Sequence, residues 1–204
     1  MPLARAGYRV RLVDLVPLHV NQALEAGIEA RIGDARAIDE QDASFDAVLL
    51  LGPLYLPERD DRVLALREAR RVVRLGGLVL AVGISRFASL LDGLATGVLA
   101  EPEFRTIVER DLEDGRHVNP EPVRRPEWFT TAFFHHPDEL RAEAAEADLD
   151  VDELLGIEGP GWLLEDRWCD ASAREEMLYA ARALESDASV SGLSAHMLLV
   201  GRRT

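Results

Sequence analysis

Two aspartates and one tight turn are the residues best placed to do chemistry. Asp14 closes the run Tyr8-Arg9-Val10-Arg11-Leu12-Val13-Asp14, and Asp34 follows Ile28–Ile32 within Gly33-Asp34-Ala35, 20 residues further on. Gly52-Pro53-Leu54-Tyr55 stops a third, almost continuously apolar run from Phe45 to Leu51. An ionised carboxylate offers hydrogen-bond acceptors only. Read alone, Asp34 also suits an N-cap or a turn, and Gly52-Pro53 an ordinary turn. A second set of polar and aromatic residues comes later: Arg86, His117, Trp128, Phe129, His135 and His136. Histidine is the natural proton acceptor near neutral pH, so His117 and Tyr55 are the candidates for a catalytic role. His135 and His136 are adjacent, and in extended chain they point to opposite sides, which makes a poor metal pair. No metal is expected. His19 reads as solvent-facing and His196 as a structural residue of the final strand. Cys169 has no partner and no activating neighbour pattern.

These residues need a scaffold that brings strand ends together. Tyr8–Asp14, Ile28–Ile32, Phe45–Leu51 and Leu78–Ile84 read as strands, with helices over Val16–Ala26 and Pro57–Arg74 between them. The order predicts a parallel α/β sheet with right-handed crossovers. The Phe45–Leu51 run suits a strand covered on both faces. On the second helix, Ala65, Leu66, Ala69, Val72 and Val73 share one face, with arginines and acids opposite. Beyond it, Ser85–Leu99, Glu101–Leu112, Pro137–Ala147 and Ala171–Glu185 read as helices, the third capped by Pro137-Asp138. Gly115–Thr131 reads as irregular, and Val151–Ile157 and Ser194–Arg202 as strands. The whole chain is expected to be one domain, residues 1–204, with 85–136 as an insertion capping the strand ends.

Composition narrows the chemistry. The 204 residues carry a formal charge of −14, which argues against nucleic-acid partners. All 23 basic side chains are arginine. The absence of lysine removes P-loop phosphate binding, Schiff-base chemistry on pyridoxal phosphate and the Tyr-x-x-x-Lys pair of short-chain dehydrogenases. One cysteine excludes an internal disulfide framework or a CxxC zinc site. No apolar stretch is long enough to span a membrane and no signal peptide is evident, so a soluble cytoplasmic protein is expected.

The segments Gly7-Tyr8-Arg9-Val10 to Asp14, Gly33-Asp34-Ala35, Phe45-Asp46-Ala47-Val48 to Tyr55, and Arg70 to Gly77 with its following strand resemble, in order and spacing, the class I S-adenosylmethionine-dependent methyltransferases. The resemblance runs from about Leu3 to Ile84 and more loosely to the C-terminus. Gly52-Pro53-Leu54-Tyr55 and Ser85-Arg86-Phe87-Ala88-Ser89-Leu90-Leu91 are similar to a bacterial branch of that family. Relatives there often carry histidine after the turn, where this chain has Leu56. The resemblance implies a Rossmann-like sheet of order 3-2-1-4-5-7-6, parallel with one antiparallel edge strand, strand 7 (Ser194–Arg202), and a helical cap insertion. It implies S-adenosyl-L-methionine as cofactor. Asp14 would accept from both ribose hydroxyls, in bonds worth roughly 1.5–3 kcal/mol each. Leu15 and Val16 would lie on the adenine, and Asp34 would accept from its amino group. The Ala35 N–H would donate to the ring, and Leu51, Gly52 and Tyr55 would line the sulfonium and methionyl end. The reaction implied is methyl transfer to a small molecule.

The family's Asp-x-Gly-x-Gly loop has no counterpart in this sequence. The first strand is therefore expected to be absent, as if the N-terminus were cut short. The strands ending at Asp14 and Leu51 would then be left unpaired on one side, at a cost on the order of 10 kcal/mol unless they close up or admit water. A degenerate methyltransferase fold serving as a binding or scaffold protein is the alternative. A nicotinamide oxidoreductase, whose fold also places an acid at a strand end, is the third reading.

Overall fold

The computed structural model describes residues 2–204. After a short helix α1 (Pro2–Arg5), strand β1 (Arg11–Asp14) leads into helix α2 (Pro17–Glu25) and strand β2 (Glu29–Ile32). Proline at the first position of α2 supplies a backbone angle already suited to a helix. β1 and β2 pair in parallel, in a two-stranded sheet of their own. Strand β3 (Phe45–Leu51), helix α3 (Arg59–Val72) and strand β4 (Val73–Ser85) form the next βαβ unit, with β3 and β4 parallel.

Two helices follow, α4 (Ala88–Thr96) and α5 (Pro102–Asp114), then strands β5 (Arg116–His117) and β6 (Ala132–His135). β6 pairs with the end of β4 through Ile84–Phe134 and Ser85–His135, and β5 lies antiparallel to β6. Helix α6 (Pro137–Glu146), strand β7 (Asp150–Gly156), helices α7 (Glu165–Cys169) and α8 (Arg174–Leu184) and strand β8 (His196–Arg202) complete the chain. The α6 N-cap is His136, not the Pro137-Asp138 pair, and its N–H donates to Glu139 Oε2 at 2.8 Å. Among the described residues no helix is long and apolar enough to cross a membrane.

The expected strand order appears in two pieces, β2-β1 and β3-β4-β8-β7, with β8 antiparallel to both its neighbours and so interior rather than at an edge. Among the described residues β1 pairs only with β2 and β3 only with β4. The pieces do not close into one ladder. They meet where the Arg11 guanidinium lies over the Phe45 ring at 5.8 Å. The β2–β3 link is tied to α3, where Arg71 donates to the carbonyls of Ile38 and Glu40 at 2.7 and 2.8 Å.

The main core lies on one face of the larger sheet. Val63, Leu66 and Ala69 of α3 and Leu140 and Ala144 of α6 pack on Leu50, Val79, Ala81, Met197 and Leu199. The opposite face is open at β3, where Leu49 and Leu51 are 40% and 66% exposed. The apolar run of β3 is thus covered on one face only, contrary to the sequence expectation. A run of hydrophobic residues reports what a strand wants to bury, not what stands opposite it. A second core forms where Phe104, Ile107 and Val108 of α5 pack with Trp128.

Candidate functional site

The pairing of β1 with β2 sets the first half of the site. Asp14 lies opposite Ile32, and the Gly33 N–H donates to the Asp14 carbonyl at 3.1 Å. Asp14 and Asp34 therefore emerge close together at the carboxyl edge of two neighbouring parallel strands. Asp14 Oδ1 accepts the Val16 N–H at 2.8 Å, and Oδ2 lies 3.0 Å from His19 Nδ1. The Val16 amide holds the Asp14 carboxyl below its usual range; partial desolvation opposes this and the His19 contact adds to it. His19 thus faces Asp14 rather than only solvent.

Asp34 is held differently. Arg36 donates to it from Nε at 3.0 Å, from Nη2 at 2.6 Å and from its backbone N–H at 2.9 Å. That guanidinium pushes the Asp34 carboxyl down and also reaches Asp61 of α3 at 2.8 Å. Leu15 and Val16 offer an exposed apolar surface beside Asp14. Ala35 packs against the main core.

The end of β3 supplies the other half. Leu51 is exposed, and Gly52 has φ +129°, which a side chain there would rarely adopt. Residues Pro53–Tyr55 form a 3₁₀ turn, closed by the Tyr55 N–H donating to the Gly52 carbonyl at 2.8 Å. Tyr55 packs on Ile84, Ala132 and Phe134. Burial pushes its phenol up, and the charge of Glu158 adds to the effect. The structure brings Asp14, Leu15, Val16, Asp34 and Ala35 together on one piece of the sheet and Leu51, Gly52 and Tyr55 on the other. Their common ground is the carboxyl edge of both pieces, where ligands bind in open α/β sheets.

Several candidates lie elsewhere. His117 is 1% exposed; its Nε2–H donates to the Trp128 carbonyl at 2.8 Å, and Nδ1 lies 2.8 Å from Asp111 Oδ2. With both nitrogens engaged in the interior, His117 braces the 85–136 segment and is not placed for acid–base work. Arg86 is buried, donating to the Phe134 carbonyl and pairing with Glu139. Among the described residues no group of three or more His, Cys, Asp or Glu side chains is arranged to hold a metal ion.

Sequence patterning gave no sign of the buried cluster of Arg62, Glu143 and His135. Arg62 sits on the inward face of α3, among residues expected to be apolar. Its Nε donates to both Glu143 oxygens at 3.1 Å, its Nη1 to the carbonyls of Leu56 and Pro57 at 2.8 Å, and its guanidinium lies 3.6 Å from the Phe133 ring centroid. His135 Nε2 lies 3.2 Å from Glu143 Oε2.

Burial pushes the His135 imidazole down, more than Glu143 raises it. Burial would raise the Glu143 carboxyl, but bonds from His135 and Arg62 bring it below the usual range. Among the described residues His135 Nδ1 is buried without a partner, so close to Gly83 that a Cβ there would stand 3.1 Å away. A proton on that nitrogen would find no acceptor. The unfolded chain takes up a proton at His135 below about pH 6.5 and the native state does not, so stability is present above that value and is lost as pH falls below it. Glu143 has the same sign at lower pH. The melting temperature is expected to fall between pH 7.5 and 5.5, and the fall should shrink in His135→Gln; an equal fall in both proteins would contradict this assignment.

The geometry is that of an α/β protein with acceptor-only carboxylates at neighbouring strand ends and an apolar ledge beside them. Residues 1–77 match the family model described as a methyltransferase domain. A search of curated proteins finds no match. Among solved structures, a SAM-dependent methyltransferase from Methanosarcina mazei is 14% identical over 99% of this chain and 85% of its own, with a TM-score of 0.62. An S-adenosylmethionine-dependent methyltransferase from Mesorhizobium loti is also 14% identical, over 98% and 83%, with a TM-score of 0.61. The [4+2]-cyclase SpnF is 13% identical over 100% and 70%, with a TM-score of 0.54. Residues 1–77 are thus similar to a methyltransferase domain, and the chain as a whole shares the α/β fold of S-adenosylmethionine-dependent methyltransferases. S-adenosylmethionine is the cofactor of that class.

Proposed function

We propose that this protein transfers a methyl group from S-adenosyl-L-methionine to a small-molecule acceptor. The observation that carries the reading is the close emergence of Asp14 and Asp34 from adjacent parallel strands, with Leu15 and Val16 exposed beside them. In this reading Asp14 accepts from the ribose hydroxyls and Leu15 and Val16 cover one adenine face. Asp34 accepts from the adenine amino group once Arg36 shares it, and the Ala35 N–H donates to the ring. Leu51, Gly52 and Tyr55 flank the methyl-bearing end, and residues 85–136 cover the acceptor. Bringing nucleophile and methyl carbon within about 3–3.5 Å supplies roughly 7–11 kcal/mol of the barrier through positioning alone. The charge of −14 favours a small acceptor over a nucleic acid.

Calorimetric titration with S-adenosylmethionine tests the reading. Asp14→Ala is expected to weaken binding tenfold or more, since it removes charge-assisted acceptors. Unchanged affinity would take Asp14 out of the site.

The second reading is a binding or scaffold protein on the same fold. The Arg36 guanidinium already occupying Asp34 favours it, and a fold shared with a [4+2]-cyclase is not tied to one reaction. It predicts saturable cofactor binding with no methyl transfer to any acceptor.

A further inference from the structure

Glu158 and His196 form a carboxylate–imidazole pair at the carboxyl edge of the larger sheet, outside the nucleoside half of the site. β8 enters the sheet at His196, opposite Ile84 near the end of β4, and Ile84 packs with Tyr55. Glu158 lies two residues beyond β7, where the Ile157 N–H donates to the His196 carbonyl at 3.0 Å. Glu158 Oε2 accepts the His196 N–H at 3.0 Å and the Ser194 hydroxyl at 2.7 Å, and Oε1 lies 2.7 Å from His196 Nδ1. Ser194 Oγ in turn accepts the N–H groups of Glu158 and Gly159 at 2.9 and 3.2 Å, so its own hydrogen is directed to the carboxylate.

Among the described residues every group hydrogen-bonded to the Glu158 carboxylate is a donor. Burial alone would raise its carboxyl, yet the bonds from His196 and Ser194 hold it below the usual range. An oxygen that only accepts requires the hydrogen to sit on His196 Nδ1. The neutral ring then presents a bare lone pair at Nε2. That nitrogen makes no hydrogen bond among the described residues, and the side chain is 39% exposed. A purely structural clip between β7 and β8 is already supplied by the Glu158 contacts to Ser194 and to the backbone. The imidazole adds an oriented base opposite Ile84, the residue that packs with Tyr55, and Glu158 is close enough to Tyr55 for its charge to raise the phenol.

We propose that His196 Nε2 is the catalytic base of this site, taking the proton of an acceptor whose nucleophilic atom is a hydroxyl oxygen or an amine nitrogen, with Glu158 as the positioning residue. The proposal rests on the methyl-transfer reading. For a hydroxyl acceptor the O–H bond breaks, its proton passes to Nε2 and the freed electron pair forms the bond to the methyl carbon; for an amine the nitrogen lone pair forms that bond, and the N–H electrons return to nitrogen as the proton passes to Nε2. The electrons of the breaking carbon–sulfur bond stay on sulfur as a neutral thioether. The proton then leaves His196 through its exposed edge.

The test uses the ¹⁵N-labelled full chain. Long-range ¹H–¹⁵N spectra at pH 8, with His196 assigned by comparison with His196→Gln, are expected to show the Nδ1–H form. In Glu158→Gln most of that form is expected to be lost. S-adenosylhomocysteine is then titrated by calorimetry and followed in the spectra, and it is expected to bind and to shift the His196 Nε2 resonance. An Nε2–H ring in the unaltered protein, a ring indifferent to Glu158→Gln, or a His196 signal unmoved while S-adenosylhomocysteine binds would each overturn the base assignment and leave methyl transfer standing. No binding heat at all would remove the methyl-transfer reading and this proposal with it.

Discussion

Replacing Arg62 with methionine is expected to cost about 3–5 kcal/mol of folding stability, a drop in melting temperature of roughly 10 °C for a chain of this length. Methionine keeps much of the volume, so the loss is electrostatic. Glu143, 2% exposed, would keep only the His135 contact for its charge. The carbonyls of Leu56 and Pro57 would lose the donor they share, and those carbonyls anchor the chain just after Tyr55. Arg62→Met should therefore also loosen the turn that holds Tyr55, seen as faster amide exchange at Tyr55 and Leu56. Arg62→Lys is expected to recover little, since a single ammonium cannot reproduce a fork reaching one carboxylate and two carbonyls. Urea denaturation of the three proteins measures this; a loss under about 1 kcal/mol for Arg62→Met would contradict it.

Why that cluster escaped the sequence, while much of the fold did not, comes down to the range of the interactions. β1, β3, β4 and β8 each announce themselves through a few consecutive residues, and α2 through its proline start and periodicity. The carboxylates at the ends of β1 and β2 were legible for the same reason, because a strand end is a local event. Arg62 looked like one more charged residue of an arginine-rich helix. Its partner lies 81 residues away, and nothing near Arg62 in sequence marks it as the inward one. His196 was passed over for a similar reason, since Glu158 stands 38 residues earlier. One local signal did exist. In β8 burial alternates, with Met197 and Leu199 inward, which puts His196 on the half-exposed face and argues against a core histidine. β5 and β6 were missed because two- and four-residue strands are too short for a period to show.

The open face of β3 has another cause. Local pattern says that Leu49 and Leu51 belong in a strand, and they are in one. Which side of the strand gets covered depends on elements packed from far along the chain. Here α3 and α6 both pack on the face that carries Leu50, Val79 and Met197, and the Leu49–Leu51 side receives neither. The unpaired edges of β1 and β3 lie within reach of solvent, so the penalty computed for buried, unsatisfied strand groups does not apply to them in full.

His117→Leu is expected to be the other severe substitution, again about 3–5 kcal/mol, and confined to the 85–136 segment. The proton count explains why. The Trp128 carbonyl only accepts, so His117 Nε2 carries a hydrogen. Asp111 Oδ2 stands 2.8 Å from Nδ1, and one further proton must lie between them, on the ring or on the acid. The unit is a buried pair tied to Ser89 and stacked on Phe134 at 4.7 Å. Leucine in place of His117 would strand Asp111, whose Oδ1 already has no partner among the described residues, and would free the Trp128 carbonyl that ties the second core to β5. Hydrogen exchange should show α5 losing protection well before α3 and α6 do. Changing both partners separates a stranded carboxyl from lost packing. With Asp111 also replaced by leucine no buried acid is left over, and apolar replacement of a whole pair is often close to neutral. The double variant is therefore expected to be more stable than His117→Leu alone. If it is not, the penalty belongs to the ring stack and the freed carbonyl, and the Asp111 contact contributes little. Cofactor affinity should stay within twofold of the unaltered protein in every folded variant of this pair, because neither residue reaches the edge where Asp14 and Asp34 emerge.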